Sequence, residues 1–192
     1  GNVSNGAFNY TGGFAGELLI GTINTSYASG NVTVTGAGGY VGGFVGTCAA
    51  ITNIATSSYI TGTVTGATGD RIGGLIGNYG GCTLTNSFVT GNVAAGTGSN
   101  HGGLIGFWGA GANTVSNSYA TGSVSGGTSV GGLFGSIQVA NAIVSNCYKT
   151  GNVSGASDNV GGLVGYTNAA NIQIVDSYFG PGLVNGGGLR TG

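Results

Sequence analysis

One short motif returns along this chain at a nearly fixed interval. GGLIG stands at residues 73–77 and again at 102–106, and GGFAG, GGFVG, GGLFG and GGLVG open at Gly12, Gly42, Gly131 and Gly161, so the six copies begin 29 to 31 residues apart. A second landmark keeps the same interval. Tyr27, Tyr59, Phe88, Tyr119, Tyr148 and Tyr178 each follow a small residue, and five of the six lead into Ser/Thr-Gly-x-Val. Self-similarity of this length marks a stack of small units, none of which can bury its apolar face alone.

Aligned on the aromatic residue, the position four before it reads Ile23, Ala55, Leu84, Val115, Val144 and Ile174, an apolar column. The position two before reads Thr25, Ser57, Asn86, Asn117, Asn146 and Asp176, a polar one; five residues after the aromatic come Val32, Val64, Val93, Val124, Val153 and then Leu183. Such columns follow if each residue sits on its equivalent one strand spacing, about 4.8 Å, away. The runs are short, β-prone and parted by Gly, Asn and Ser, and no 3.6-residue period occurs. The expected fold is therefore all-β, a parallel β-solenoid (β-helix) of about six coils and a single domain over 1–192. The approximate coils are 1–29, 30–61, 62–90, 91–121, 122–150 and 151–180, with a partial or irregular end at 181–192. Three short strands per coil are expected: one ending at the aromatic, one around Thr-Gly-x-Val and one at the GG motif. An antiparallel prism or propeller of three-stranded units is the runner-up.

Preceded by Thr11, Val41, Ile72, His101, Val130 and Val160, the GG motif reads as a strand with an apolar residue on both faces. That predicts a cover on its outer side, from the chain's own loops or from a neighbouring chain. Glycine beside the apolar pair lets the cover approach closely.

Composition narrows the function. Gly is 46 of 192 residues, yet 40% are hydrophobic and the glycines arrive in phase, so they are architectural and not linker. Only 4% are charged, against about 25% in ordinary soluble domains, and the net charge is −1. Three cations, Arg71, Lys149 and Arg190, supply no field for a phosphate backbone, which excludes nucleic acid as a partner; the same scarcity excludes a polybasic membrane surface. No apolar run of 18 residues is present to insert in a bilayer. A surface hydrated by Ser, Thr, Asn and Gly offers little charge repulsion between copies, so self-association is expected. The chain has no initial Met or signal peptide, and Gly1-Asn2-Val3-Ser4 is in phase with Gly30-Asn31-Val32-Thr33. This opening in mid-repeat fits a piece of a longer array or a mature subunit whose ends are covered by something else.

The repeat resembles the GLUG motif, named for Gly-Leu-any-Gly, found in tandem in large bacterial surface proteins. These include haemagglutinin-like adhesins and the non-catalytic regions of some immunoglobulin A peptidases. GGLIG, GGLFG and GGLVG match it directly, GGFAG and GGFVG put Phe where Leu is usual, and the resemblance runs from about residue 1 to 180. Beyond Tyr178 the text departs, with the single Pro. The resemblance implies an extracellular, repetitive, non-enzymatic spacer or adhesive surface and names no ligand.

Catalysis needs convergent titratable groups. Glu17, Asp70, Asp158, Asp176, His101, Arg71, Lys149 and Arg190 are scattered, and neither a metal-ligand spacing nor an Asp-rich calcium nonapeptide appears. No enzyme activity, cofactor or metal is expected. His101 reads as a packed or edge histidine, and Asp70-Arg71 as a loop pair. Asn86, Asn117, Asn146 and Asp176 read as a ladder that bonds along the stack or satisfies a turn. Cys147 takes the place of Ser26, Ser58, Ser87, Ser118 and Ser177 as a packed free thiol. Cys48 and Cys82 lie in the variable arms of adjacent repeats, where a disulfide is geometrically feasible and suits an extracellular protein. Asn2, Asn9, Asn24, Asn31 and Asn152 open N-glycosylation sequons, three of them (Asn2, Asn31, Asn152) at one repeat position. Phe107-Trp108 follows a GG core in one repeat only and reads as a hydrophobic lid or as contact aromatics. The hydroxyl column Ser29, Thr61, Thr90, Thr121 and Thr150 is compatible with ice or a crystalline polysaccharide, and equally with β preference.

The leading expectation is a surface structural protein, an adhesin stalk or fibril subunit assembling through itself, end to end or laterally, by open solenoid ends and the GG strand face. A glycan-binding adhesive module is the alternative, and an ice-binding protein the more remote one.

Overall fold

The computed structural model describes residues 1–6, 9–37, 39–111 and 114–186, with the backbone alone for 50–56. It is a parallel β-solenoid with no helix among the described residues. Successive turns pair parallel and in register: Val3 lies opposite Val32, Val32 opposite Val64, and so on through Val93, Val124 and Val153. The antiparallel alternatives are excluded by this pairing.

Four sheets run along the rod. Sheet A stacks the Thr-Gly-x-Val segments from Val3–Asn5 to Val184–Gly186, and sheet B the segments entering the GG motif from Tyr10–Gly12 to Val160–Gly161. Sheet C holds the segments leaving the motif, such as Ile76–Thr85, and sheet D the aromatic dipeptides from Tyr27–Ala28 to Tyr178–Phe179. Where the repeat predicts three strands per coil, complete coils have four or five. The GG strand is divided at its centre, because Gly74 and Leu75 turn the chain between Arg71–Gly73 and Ile76–Thr85. The strand before the aromatic is divided from it by a left-handed residue, with φ of 51°, 50° and 52° at Asn86, Asn117 and Asn146, a conformation Asn tolerates. The polar column is thus a row of corners.

The turn at the motif also disposes of the two-faced strand. Residues before the motif (Val41, Ile72, Val130) pack with the sheet A valines in one core, while Leu75, Ile76, Leu104, Ile105, Leu133 and Phe134 pack with sheet D in another. The cover expected over the GG strand is the chain itself, since the third glycine of each motif packs against the sheet B strand of the preceding coil. A Cβ on Gly77 would stand 2.8 Å from the Arg71 carbonyl oxygen and 2.7 Å from that of Gly46. The GG face is consequently filled from within by the chain's own backbone.

Polar ladders hold the corners. The hydroxyls of Ser87, Ser118 and Ser177 donate to carbonyls two residues earlier, at 2.9, 2.8 and 2.9 Å, and accept N–H groups of Ser58, Ser87 and Cys147. Cys147 occupies this slot as a buried free thiol bonded to the Ser145 carbonyl, and burial raises its pKa. Asn2, Asn31, Asn92 and Asn152 accept, through Oδ1, backbone N–H groups of the next coil. The asparagine ladder along the stack is therefore here, and the Asn86 column makes turns.

Two registers differ from expectation. Ile23 pairs with Ile54, whereas against the next coil residues 54 and 55 both fall opposite Leu84, at a register shift between the Thr83–Asn53 and Thr85–Thr56 pairs; the side chains of 54 and 55 lie outside the described residues. Val153 pairs with Val184, not Leu183, because the segment through Pro181 carries one extra residue, and Leu183 is left 74% exposed.

Candidate functional site

Trp108 turns inward. It is fully buried between Tyr79, edge-on at 5.2 Å, and Phe134 at 5.8 Å, and its indole N–H has no partner. It is a core residue and not a contact aromatic, because alternation along the strand sends residue 107 to the opposite side. Phe107 faces outward, and the Arg71 guanidinium lies over its ring at 3.9 Å.

Arg71 is the centre of an outer-surface stack. Its other neighbour is the Tyr40 ring at 4.6 Å, and Tyr40 meets Tyr10 at 5.3 Å. Tyr10, Tyr40 and Arg71 are consecutive rungs of sheet B, so parallel pairing alone aligns the two rings and the guanidinium. The Arg71 head also donates to Asn78 Oδ1 at 2.8 Å, and Asn78 Nδ2 donates to Thr47 Oγ1 at 3.0 Å. Beside this stack, Asn9, Tyr10, Gly39, Tyr40, Asp70 and Arg71 line a cleft of about 330 Å³. These residues stand two or three positions before the first three GG motifs, and that shared position is the signal in the sequence that joins Asp70-Arg71, otherwise a loop pair, to Tyr10 and Tyr40.

A second row, Tyr27, Tyr59, Phe88, Tyr119, Tyr148 and Tyr178, stacks ring on ring along sheet D, with centroids 4.6 to 5.6 Å apart. Its end members Tyr27 and Tyr178 are each 60% exposed. A depression of about 350 Å³ lies against Tyr27, with Gly1, Gly13 and Gly30.

The remaining candidates are dispersed. Cys48 and Cys82 are joined in a disulfide. His101 is fully buried in the column of Ile72 and Val130; neither ring nitrogen makes a hydrogen bond of good geometry. Burial holds its pKa below 6.5, opposed in part by the Gly98 carbonyl and the Asp70 carboxylate. Lys149 follows Ala120 in the interior column of sheet D and is fully buried, its stem continuing an apolar row. Its ammonium donates to the carbonyls of Gly122 at 2.8 Å, Gly151 at 3.2 Å and Thr150, and burial lowers its pKa from 10.5 to about 8. Arg190 lies outside the described residues.

The sequon residues Asn2, Asn9, Asn24, Asn31 and Asn152 are all exposed, and the hydrogen bonds of Asn2, Asn31 and Asn152 to the next coil give them a structural role. Thr61, Thr90, Thr121 and Thr150 each follow a two-residue strand of sheet D, and their amides bond to carbonyls of the preceding coil. Among the described residues no group of three or more His, Cys, Asp or Glu side chains is placed to hold a metal, and no helix is long and apolar enough to cross a membrane. Comparison with protein-family models, curated proteins and solved structures finds no match.

Proposed function

We propose that this chain is a non-enzymatic structural repeat protein of the extracellular surface, a rod that serves as an adhesin stalk or as the subunit of a surface fibril and lengthens by coil stacking. The observation that carries the reading is where the apolar surface lies. Among the described residues the exposed large hydrophobics gather in the end coils: Tyr10, Phe14, Leu19, Ile20 and Tyr27 at one end, Ile174, Val175, Tyr178, Leu183 and Val184 at the other. Only Ile143 stands between them. Phe14, Ile174 and Val184 continue columns buried in the middle of the rod, and Tyr27 and Tyr178 end the half-buried aromatic row, on or beside strand edges that a further parallel coil would pair. A disulfide supports an oxidising compartment, and the resemblance to GLUG repeats supports a cell-surface setting.

With the GG face filled internally, assembly proceeds end to end and not laterally. Tyr27→Glu and Tyr178→Glu test this by placing a carboxylate on each stacking face. Sedimentation velocity should show species growing with concentration for the unsubstituted chain and a single small species for each variant. Growth undiminished by both substitutions would reject the end-face contact. The second reading, a glycan-binding module, is favoured by one observation, the cleft beside Arg71.

A further inference from the structure

We propose that the cleft lined by Asn9, Tyr10, Gly39, Tyr40, Asp70 and Arg71 binds a neutral saccharide chain, lying along the rod across the first three coils.

Three properties define the ligand. The first is charge. The whole chain has seven Asp, Glu, Lys and Arg side chains, and an acid and a base of that set, Asp70 and Arg71, stand side by side on this cleft. Their charges cancel, so the site draws neither anions nor cations from a distance, while their oxygens and N–H groups remain to bond hydroxyls, which both donate and accept. The second is shape. Rungs of sheet B about 4.8 Å apart make the cleft about 10 Å long, open at the surface and about 330 Å³ in volume, near the lower end for ligand sites. That suits an extended polar chain more than a compact apolar molecule. Gly39 keeps the floor low, since a Cβ there would stand 3.2 Å from the Asn9 carbonyl oxygen.

The third property is rigidity. Tyr10 is 41% exposed but is stacked on Tyr40, Tyr40 on Arg71, and Arg71 on Phe107, with Asn78 fixing the guanidinium from the side. Four planar groups held this way lose little freedom when a ligand arrives. Tyr10, covered by Tyr40 on one face, keeps its ring edge and its other face open to the C–H groups of a pyranose, and Asn9 and Asp70 beside it reach the ring hydroxyls. Phe107 contributes from behind, by holding Arg71. The site shares Tyr10 with the exposed residues of the first coil, but the two readings are tested at different residues, assembly at Tyr27 and Tyr178 and binding at Tyr10 and Asp70.

The test uses the full chain on a panel of immobilised oligosaccharides. Glucan, mannan, galactan and N-acetylglucosamine oligomers are the neutral members, with uronate and sialylated oligomers as charged counterparts. We expect retention on at least one neutral class, reduced tenfold or more by Tyr10→Ala and by Asp70→Asn and unchanged by Asp158→Asn. Circular dichroism identical to that of the parent separates lost binding from lost fold, and Arg71→Lys provides a second probe that keeps the charge but removes the planar head. No retention on any neutral member, retention on charged members alone, or equal retention by folded Tyr10→Ala and Asp70→Asn variants would each overturn the proposal.

Discussion

Gly106 lies directly on Gly77: a methyl group placed on Gly106 would stand 2.7 Å from the Gly77 carbonyl oxygen and 2.7 Å from the Ile72 amide nitrogen. The atoms it would strike are backbone, which cannot swing aside, so the third glycine of the motif is required for sheets B and C to touch without side chains between them. Gly106→Ala should therefore cost about 3 kcal/mol, an overpacking penalty at the upper end of the usual range. Urea unfolding followed by circular dichroism measures it, and a midpoint equal to the parent's would show that the seam has slack.

His101 occupies a position where its neighbours along the stack are Ile72 and Val130. Two ring nitrogens left without well-formed hydrogen bonds are a burden that an aliphatic residue removes, so His101→Ile should stabilise by about 1 kcal/mol or more. The folded pKa is below the unfolded 6.5, so the unfolded chain binds the extra proton first and parent stability declines as pH falls through 6.5. Thermal melts from pH 7 to 5 should show a steeper decline for the parent than for His101→Ile. Parallel curves would place the titration elsewhere.

Lys149 gives the opposite experiment at alkaline pH. Its folded pKa of about 8 lies below the ordinary 10.5, so between these values the folded chain has shed a proton that the unfolded chain keeps. Its contribution to stability therefore rises with pH across that window. Cys147 and Tyr148, both raised by burial, work in the other direction, which makes the difference between parent and Lys149→Met the informative quantity. That difference should move in favour of the parent from pH 8 to 10, and a difference independent of pH would mean that the ammonium keeps its proton inside the fold.

The Cys48–Cys82 bridge spans a sequence separation of 34 and ties two neighbouring coils. Closing a loop of that length in the unfolded chain is worth about 3 to 4 kcal/mol in the chain-entropy account. Calorimetry with and without reductant should show a clear drop in Tm, reproduced by a Cys48→Ala, Cys82→Ala double variant that no longer responds to reductant. A parent Tm indifferent to reductant would contradict the stabilising role.

Much of the fold is legible in the sequence because parallel stacking makes each side chain answer to its copy about 30 residues on. The aromatic row, the valine column and the serine slot holding Cys147 can be read by alignment alone. The division of the GG strand cannot, since contact through glycine backbones leaves no side-chain pattern and the motif reads equally well as one two-faced strand. Trp108 is similar: its inward direction depends on where that strand starts. The shifts around Ile54 and at Val184 come from extra residues absorbed within a coil, two between Val45 and Tyr59 and one between Tyr178 and Val184, which an alignment anchored on the aromatics passes over. Of the candidate site, Tyr10, Tyr40 and Arg71 share a visible column, but their union with Phe107 and Asn78 crosses between sheets and needs the corner at the motif to be known.

In the proposed fibril, coils continue from one molecule to the next. Electron microscopy of the purified protein over a range of concentrations, with the axial repeat read from diffraction of the images, tests it most directly. End-to-end stacking predicts filaments one solenoid wide whose strand spacing of about 4.8 Å runs unbroken through the junctions between molecules. Rods of one fixed length, about 30 Å for six coils at that spacing, at every concentration would contradict it.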